Sequence, residues 1–358
     1  MTDRTPSFGP WPYGHNVTDM FLDVGTGEIN FDYFRAFFDR VSLPFDVAKA
    51  CLGSHYSQYR QPVSVEFAKF VKLSTLRAKD RIPTYQEIKG DLVDYRDIPK
   101  FKIVGALKAF GGEDFLSVTP CIFVSHRWQT PDHPDPDGAR LQLILKRLDP
   151  VVSHEGAATE IYLWLDFCCL PQRRGTDPLC RADLDSLRAG LGRLAEVVKS
   201  CDLLVLDSPD YSGRAWCFAE LFVWLSKLAE VNYADAFEGS GVARSILTRH
   251  LFDGVHGRSD AHHFDQSVVE NLRCRGYSGS STDILEIYRP IRDHHQTTVD
   301  SANYTMGAFE SEYFPTLVGF MCNSWHMLRQ KDCTDRDDRE LCLRIIVDAL
   351  KSFGVLSG

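Results

Sequence analysis

One short stretch of the chain, residues 208–221, contains a glutamate with an arginine and a tryptophan close to it in sequence, residue types suited to a reaction that a carboxylate catalyses. A helix that begins near Arg214 would place Trp216 and Glu220, which are four positions apart, on the same face. From Leu221 onward this helix is apolar on almost every side, which predicts a buried element. Because a carboxylate at the mouth of a buried helix is costly unless it has a partner or a function, Glu220 is the first candidate for a catalytic residue.

The elements around this stretch predict how it is positioned. Apolar runs indicate three strands, at residues 121–124, 161–167 and 203–206, and the helix after the second strand is predicted as one piece over residues 184–198. Three βα units in a row favour a parallel sheet with right-handed crossovers, whose ligands bind beyond the carboxyl ends of the strands. We therefore expect the segments after the strands to converge on one site. These segments are residues 125–138, 166–175 and 207–220.

The chain divides into three regions on these patterns. Residues 1–115 are interpreted as a helical N-terminal region, because apolar side chains recur there at helical spacing, less regularly over residues 67–76. Residues 116–230 form the α/β domain, whose C-terminal boundary is left open. Residues 231–358 form a mixed or helical C-terminal region that ends in an amphipathic helix over residues 341–350. The sequence assigns no role to either flanking region.

The overall composition excludes several classes of protein. The 40 Lys and Arg residues against 49 Asp and Glu residues, with no basic block, argue against a nucleic-acid partner. The 11 cysteines are odd in number and form no CxxC pair, which argues against a disulfide framework or a zinc ribbon. No apolar run is long enough to span a membrane, and the N-terminus lacks the apolar core of a signal peptide. We therefore expect a cytoplasmic protein without a membrane partner.

Motifs for bound cofactors and metals are also missing from the sequence. No GxGxxG follows a predicted strand and no GxxxxGK[ST] occurs, so neither a dehydrogenase nor a P-loop enzyme is indicated. The histidines at 262–263 and at 294–295 are adjacent pairs, and no HxxxH frame occurs, so no metal site is predicted. No redox cofactor is therefore predicted.

Two motifs in the chain resemble the Toll/interleukin-1 receptor (TIR) domain family. In the plant branch of that family a strand ends in Phe-Leu-Ser-Phe-Arg, and residues 123–127 stand in its place as Phe-Val-Ser-His-Arg. The same branch carries Ser-x-x-Tyr, three mostly small residues and then x-Trp-Cys-Leu-x-Glu-Leu. The residues that match this second motif in register are Ser208, Tyr211, Trp216, Cys217, Glu220 and Leu221.

The segment between these motifs is similar to a different family, the fungal heterokaryon-incompatibility (HET) domain. Residues 164–172 follow its Trp-Ile-Asp-x-x-Cys-Ile-x-Gln signature, and residues 214–220 partly match its later Arg-x-Trp-x-x-x-Glu. HET domains are themselves TIR-like, so both resemblances imply an α/β fold with a parallel-sheet, flavodoxin-like or TIR-like core between mainly helical N- and C-terminal regions. The resemblance covers residues 120–230 and departs from the plant motif at Trp128, which replaces a small residue.

The resemblance implies an activity. In enzymatic TIR domains the Glu of the second motif is the catalytic residue of NAD⁺ cleavage, and it corresponds to Glu220. Nicotinamide leaves NAD⁺ as a neutral base, so the enzyme needs no proton donor; it must stabilise positive charge on the ribose, which a carboxylate does. The resemblance thus implies that NAD⁺ is a substrate and not a redox cofactor. Such domains act after self-association, which implies a homo-oligomer.

The residues near the predicted strand ends would bind the substrate. Ser125 and Arg127 are suited to a phosphate, and Trp128 or Trp216 to stacking on a base. The predicted substrate-binding residues are Ser125, His126, Arg127, Trp128, Asp166, Tyr211 and Trp216.

Two other functions stay open on the same residues. The first is an N-glycosidase or base-exchange enzyme acting on a nucleoside or nucleotide, for which His126 or Asp166 would supply the proton that a neutral base requires. The second is a non-enzymatic TIR/HET-like signalling module with contact loops at 125–138 and 166–175. Structural roles are open too: Glu220 pairing with Arg214 or Arg127, Trp216 packing in the core, and Asp166 capping a loop.

Overall fold

The structure is a computed structural model, and it describes most of the 358-residue chain. The described residues are 35–57, 68–99, 101–104, 115–118, 121–155, 160–172, 179–206, 211–238, 261–302, 306–333 and 337–351.

Among the described residues, five strands form one mixed sheet and two further strands pair with each other. The strands are β1 (Lys69–Lys72), β2 (Val93–Asp94), β3 (Phe101–Val104), β4 (Phe115–Val118), β5 (Cys121–His126), β6 (Tyr162–Trp164) and β7 (Asp202–Leu206). The order in the sheet is β2-β1-β6-β5-β7, and β3 pairs antiparallel with β4.

The centre of the sheet is parallel. β5 pairs in parallel with β6 on one side and with β7 on the other. Every residue of these three strands is buried, as expected for a parallel sheet that is covered on both faces. The prediction of three parallel strands in an α/β fold is confirmed. The second strand is shorter than predicted: it ends at Trp164, and Asp166 begins a short helix instead.

The N-terminal region contributes two antiparallel strands to this sheet. Val71 of β1 lies opposite Leu163 of β6, and Phe70 lies opposite Val93 of β2. The helical interpretation of residues 67–76 is therefore wrong for Lys69–Lys72, because pairing with β6 buries Phe70 and Val71 and outweighs a weak local pattern. Residue 67, like residues 1–34, lies outside the described part of the chain.

Helices surround the sheet and make up most of the C-terminal region that is described. They are α1 (Arg35–Arg40), α2 (Phe45–Ser57), α3 (Leu73–Arg77), α4 (Tyr85–Ile88), α5 (Ala139–Glu155), α6 (Asp166–Cys169), α7 (Arg181–Leu191), α8 (Leu194–Ser200), α9 (Ala215–Glu238), α10 (Ala261–Cys274), α11 (Ser281–Ala302), α12 (Met306–Arg329) and α13 (Asp337–Lys351). Short 3₁₀ turns lie at Tyr95–Asp97 and Tyr211–Gly213. None of the described helices has the length and apolar character that crossing a bilayer requires.

The helix predicted over residues 184–198 is divided into α7 and α8. The break falls at Gly192, whose N–H donates to the carbonyl of Arg188 and ends α7, and Arg193 has a non-helical backbone. Glycine is a poor helix former, and its position between two apolar stretches accounts for the break. The predicted final helix is confirmed as α13.

Helix α9 lies at the centre of the packing. Its residues 217–226 are buried without interruption, and α8, α11 and α13 pack along it. The ring of Phe222 meets Phe320 of α12 at 5.1 Å between centroids. The start of α9 is held by the segment before α13: the N–H of Ala215 donates to the carbonyl of Asp332, and the N–H of Asp332 donates to the carbonyl of Gly213. The described C-terminal helices thus complete the surroundings of the helix that carries Glu220.

Candidate functional site

A cleft of about 570 Å³ opens where β5 and β6 end and α9 begins. Its wall contains residues 126–131, several residues between 164 and 172, and four residues between 214 and 220. The three segments after the strands therefore converge on one site, as predicted from a parallel sheet. The predicted residues 173–175 and 207–210 lie outside the described part of the chain.

Glu220 lines this cleft and is 9 % exposed. Its Oε2 accepts a hydrogen bond from the Oγ of Ser125. Burial raises the pKa of Glu220 to about 8; the hydrogen bond from Ser125 lowers the pKa, and the nearby charge of Asp166 raises it. At pH 7 the carboxyl group is therefore mostly protonated in the absence of a cationic ligand.

Ser125 and Tyr211 lie behind Glu220. Both are 1 % exposed, and neither belongs to the described lining of the cleft. The hydroxyl of Tyr211 is hydrogen-bonded to the Oγ of Ser125, and its ring packs edge-on against Tyr277 at 5.8 Å. The two residues were predicted to contact substrate. In the structure the hydroxyl of Ser125 contacts Glu220, and the hydroxyl of Tyr211 contacts Ser125.

Asp166 joins two parts of the cleft wall. Its Oδ2 accepts a hydrogen bond of 2.9 Å from the indole N–H of Trp128, and its Oδ1 accepts one of 2.6 Å from the N–H of Phe167. The amide of Gln172 donates to its backbone carbonyl at 2.9 Å. Asp166 is the first residue of α6, whose N-cap is Leu165. Its carboxylate therefore does not cap the helix; it accepts from the next backbone N–H and orients an indole in the site.

Aromatic side chains form two sides of the cleft. Trp128 is half-buried and packs edge-on against Phe167 at 5.2 Å between ring centroids. Trp216 is also half-buried, lines the cleft and packs against the core. Because both indoles keep an exposed part in the cleft, both are available to contact a planar ring.

His126 contributes to the wall, but its side chain is only 1 % exposed. Its Nδ1 lies 3.3 Å from the carbonyl oxygen of Val124, and its Nε2 lies 3.9 Å from the Oδ1 of Asp166, beyond hydrogen-bond distance. Burial lowers the pKa of His126, although the charge of Asp166 acts in the opposite direction. The surroundings of the ring therefore favour its neutral form.

Two arginines also face the cleft. Arg127 follows β5 and Arg214 precedes α9, so they carry positive charge into the same space as Glu220. Within the described part of the chain, neither forms an ion pair with Glu220, whose hydrogen bond comes from Ser125. The structural role that was open for Glu220, pairing with one of these arginines, is therefore not the arrangement found.

Comparison of the chain with protein-family models, with curated proteins and with solved structures gives no match. No group of three or more His, Cys, Asp or Glu side chains in the described residues could hold a metal ion.

Several residues of the cleft were not predicted. Gln172 lines it and could have been found, because it ends the HET-like signature. Asp338 reaches the cleft from the first turn of α13 and has no signal in the sequence, since only the packing of α13 along α9 brings it there. Three leucines form an apolar side of the cleft. They are Leu187, Leu191 and Leu194.

Proposed function

We propose that this protein cleaves the nicotinamide–ribose bond of NAD⁺ or NADP⁺, with Glu220 as the catalytic carboxylate. The observation that carries the proposal is the position of Glu220. It is a buried carboxyl group that lines a cleft at the carboxyl ends of parallel strands, together with two arginines and two half-buried indoles. A buried carboxyl group with a raised pKa in such a cleft is a candidate functional group on physical grounds.

The chemistry requires a carboxylate and little else from the enzyme. Positive charge grows on C1′ of the ribose as the neutral nicotinamide departs, and an anion close to that carbon stabilises the transition state. The burial that makes Glu220 mostly neutral without a ligand also strengthens its attraction to a cation, because water screens the charges less there. A bound pyridinium would therefore favour the ionised form of Glu220.

The rest of the cleft suits a dinucleotide. Arg127 and Arg214 can neutralise a pyrophosphate, and Trp128 and Trp216 can contact the two bases. The volume of about 570 Å³ is in the usual range for small-molecule sites. Asp166 holds the indole of Trp128 by a hydrogen bond of 2.9 Å, so part of this surface is organised before any ligand arrives.

The sheet supports the resemblance to TIR domains. The first of the three parallel strands, β5, lies between the second and the third, which is the 2-1-3 order of flavodoxin-like sheets. We therefore include in the proposal a TIR-like core over the residues from β5 to α9, and self-association as a condition for full activity.

The proposal is tested by incubating the full chain, at several protein concentrations, with NAD⁺, NADP⁺ and a panel of nucleotides, and by following nicotinamide, ADP-ribose and free bases by mass spectrometry. Glu220→Gln is expected to lower nicotinamide release about 10²–10³-fold, because it removes one charge partner of the transition state. Glu196→Gln is the matched control, since Glu196 is a half-buried glutamate whose pKa is also raised by burial but which does not line the cleft. Absence of nicotinamide at every concentration, or equal release by Glu220→Gln, would overturn the proposal.

One observation favours a second candidate, an N-glycosidase that acts on a nucleoside or nucleotide. A carboxyl group with a pKa of about 8 is mostly protonated at pH 7, so Glu220 can itself donate the proton that a neutral leaving base needs. Release of a free base from a nucleotide, with NAD⁺ left intact, would select this function. An interaction module without activity would show no turnover of any compound.

A further inference from the structure

Two hydroxyl groups and the carboxyl group of Glu220 form a continuous buried chain. The Oγ of Ser125 contacts both the Oε2 of Glu220 and the hydroxyl of Tyr211. Ser125 is the fifth residue of β5 and Tyr211 lies in the turn that leads to α9, so the chain connects the sheet to the helix. Ser125 and Tyr211 are each 1 % exposed, which places the chain away from the surface of the cleft.

The number of protons in this hydroxyl chain, which consists of Glu220, Ser125 and Tyr211, depends on whether Glu220 is ionised. When Glu220 is ionised, two hydroxyl protons serve two contacts: Tyr211 donates to Ser125, and Ser125 donates to the carboxylate. When Glu220 is protonated, a third proton is present and no contact of the chain is left for it. A hydroxyl group also donates more strongly to a carboxylate than to a neutral acid. The chain therefore stabilises the ionised form more than the neutral form.

The hydroxyl chain also determines which carboxyl oxygen of Glu220 faces the cleft. Oε2 is occupied by Ser125, while no described residue donates to Oε1. Because Glu220 lines the cleft, Oε1 is the oxygen that is available to a bound molecule. Loss of the contact with Ser125 would let the carboxyl group turn about its terminal bond and would lose this orientation.

The remaining charged and titratable groups around Glu220 lie on its own helix, on α6 and on α13. Cys217 and Arg214 lie on or beside its own helix, and Asp166 faces it from α6. Cys342 and Asp338 approach from α13. Burial raises the pKa of Cys217, of Cys342 and of Tyr211 well above the ordinary values, so these groups stay neutral at pH 7. Among the described hydrogen-bond partners of Glu220, Ser125 is therefore the group that can favour its negative charge.

We infer that Ser125 and Tyr211 are positioning residues. The hydroxyl of Ser125, itself bonded to that of Tyr211, holds Oε2 of Glu220, presents Oε1 to the cleft and favours the ionised carboxylate. The inference rests on the proposed function in so far as it assigns this role to catalysis. The effect of the hydroxyl chain on the ionisation of Glu220 can, however, be measured without turnover.

The experiment follows the ionisation of Glu220 in the full chain by the ¹³Cδ signal of labelled glutamate, assigned by its loss in Glu220→Gln. The wild-type midpoint is expected at about pH 8. Ser125→Ala is expected to raise this midpoint by about one pH unit, a tenfold change in the ionisation equilibrium, because it removes a donor to the charged form. Tyr211→Phe, which keeps the ring against Tyr277, is expected to give a smaller shift of the same sign.

Nicotinamide release is measured beside the titration. For Ser125→Ala, kcat/KM at pH 7 is expected to fall about tenfold and to recover as the pH is raised by about one unit, because more Glu220 is then ionised. Ser125→Thr keeps a hydroxyl group and is expected to keep the wild-type midpoint. The matched controls are Ser226→Ala, a buried serine whose hydroxyl donates to the carbonyl of Ala349, and Tyr162→Phe, a buried tyrosine of β6.

The outcomes separate this inference from the proposed function. An unchanged midpoint in Ser125→Ala and in Tyr211→Phe would overturn the inference, even if NAD⁺ is cleaved. A raised midpoint without any nicotinamide release would support the hydroxyl chain and contradict the proposed function. If Ser125→Ala fails to fold, the comparison of Tyr211→Phe with Tyr162→Phe decides the inference by the same midpoint.

Discussion

The raised pKa of Glu220 results from burial that a single hydrogen bond does not offset. Nine other residues in the range 217–226 are buried with it, and the contact that favours its charge is a single hydroxyl group from the neighbouring strand. The loss of hydration therefore outweighs the hydrogen bond, and the pKa rises to about 8. A raised pKa allows a carboxyl group to act either as an acid or as a carboxylate near neutral pH, and the direction of the pH dependence reveals which form is used.

For cleavage of NAD⁺ by the ionised carboxylate, kcat/KM is expected to rise with pH and to level off above about 8. The reason is that the ionised fraction of Glu220 grows about tenfold for each pH unit below its pKa. Initial rates of nicotinamide release at NAD⁺ concentrations far below KM, between about pH 6 and about pH 9.5, measure this profile. A rate that falls as the pH rises through 8 would instead indicate that protonated Glu220 is the active form, as the N-glycosidase function requires.

At the scale of elements, the cleft depends on two junctions. The start of α6 is joined to the segment after β5 through Asp166, and the start of α9 is joined to the segment before α13 through Asp332. Both junctions consist of hydrogen bonds between parts of the chain that are distant in sequence. They position Trp128 and Glu220 without contributing to the apolar core.

Asp166→Ala is expected to lower the free energy of unfolding by about 1–2 kcal/mol, because the N–H of Phe167 and the indole N–H of Trp128 both lose an acceptor. Urea unfolding of the full chain measures this change. Asp149→Ala is the control, since Asp149 is 62 % exposed in a surface ion pair with Arg77 and its removal should change stability by less than about 0.5 kcal/mol. Equal stability of the two variants would show that Asp166 does not stabilise the cleft wall.

At the scale of the whole molecule, the sheet and the C-terminal helices share one core. The buried face of α9 is covered by α11 and α13, and the cation of Arg275 lies 4.8 Å from the ring of Trp224. The guanidinium of Arg275 also lies 3.7 Å from the carboxylate of Asp202 at the start of β7. The backbone N–H of Arg275 donates to the carbonyl of Leu272 at the end of α10. The residues that resemble TIR and HET domains are therefore only part of what folds together.

A fragment of residues 116–230 is accordingly expected to lack a cooperative unfolding transition, because the apolar face of α9 would meet water where α11 and α13 now lie. Thermal unfolding followed by circular dichroism, with the full chain as the control, tests this expectation. A fragment that unfolds cooperatively would show that the α/β part is stable alone and that the C-terminal helices are a separate addition.

The sequence alone determined the elements with strong local patterns. The three apolar strands were predictable because a buried parallel strand is a continuous apolar run. The helices after them were predictable because apolar residues recur every three or four positions in a helix that covers a sheet. The order of these units then predicted that the segments after β5 and β6 and the start of α9 would meet. The burial of Glu220 was predictable from the same local pattern, since this carboxylate interrupts an apolar stretch of the helix.

Only the tertiary structure decided which groups touch Glu220. Ser125 contacts Glu220 although the two residues are 95 positions apart, and Tyr211 contacts Ser125 from 86 positions away. No local pattern encodes either contact. The pairing of β1 with β6 and the approach of Asp338 also depend on packing between distant segments. Local sequence patterns report which face of an element is buried, whereas the partner of that face is selected by the shape and chemistry of the whole assembled core.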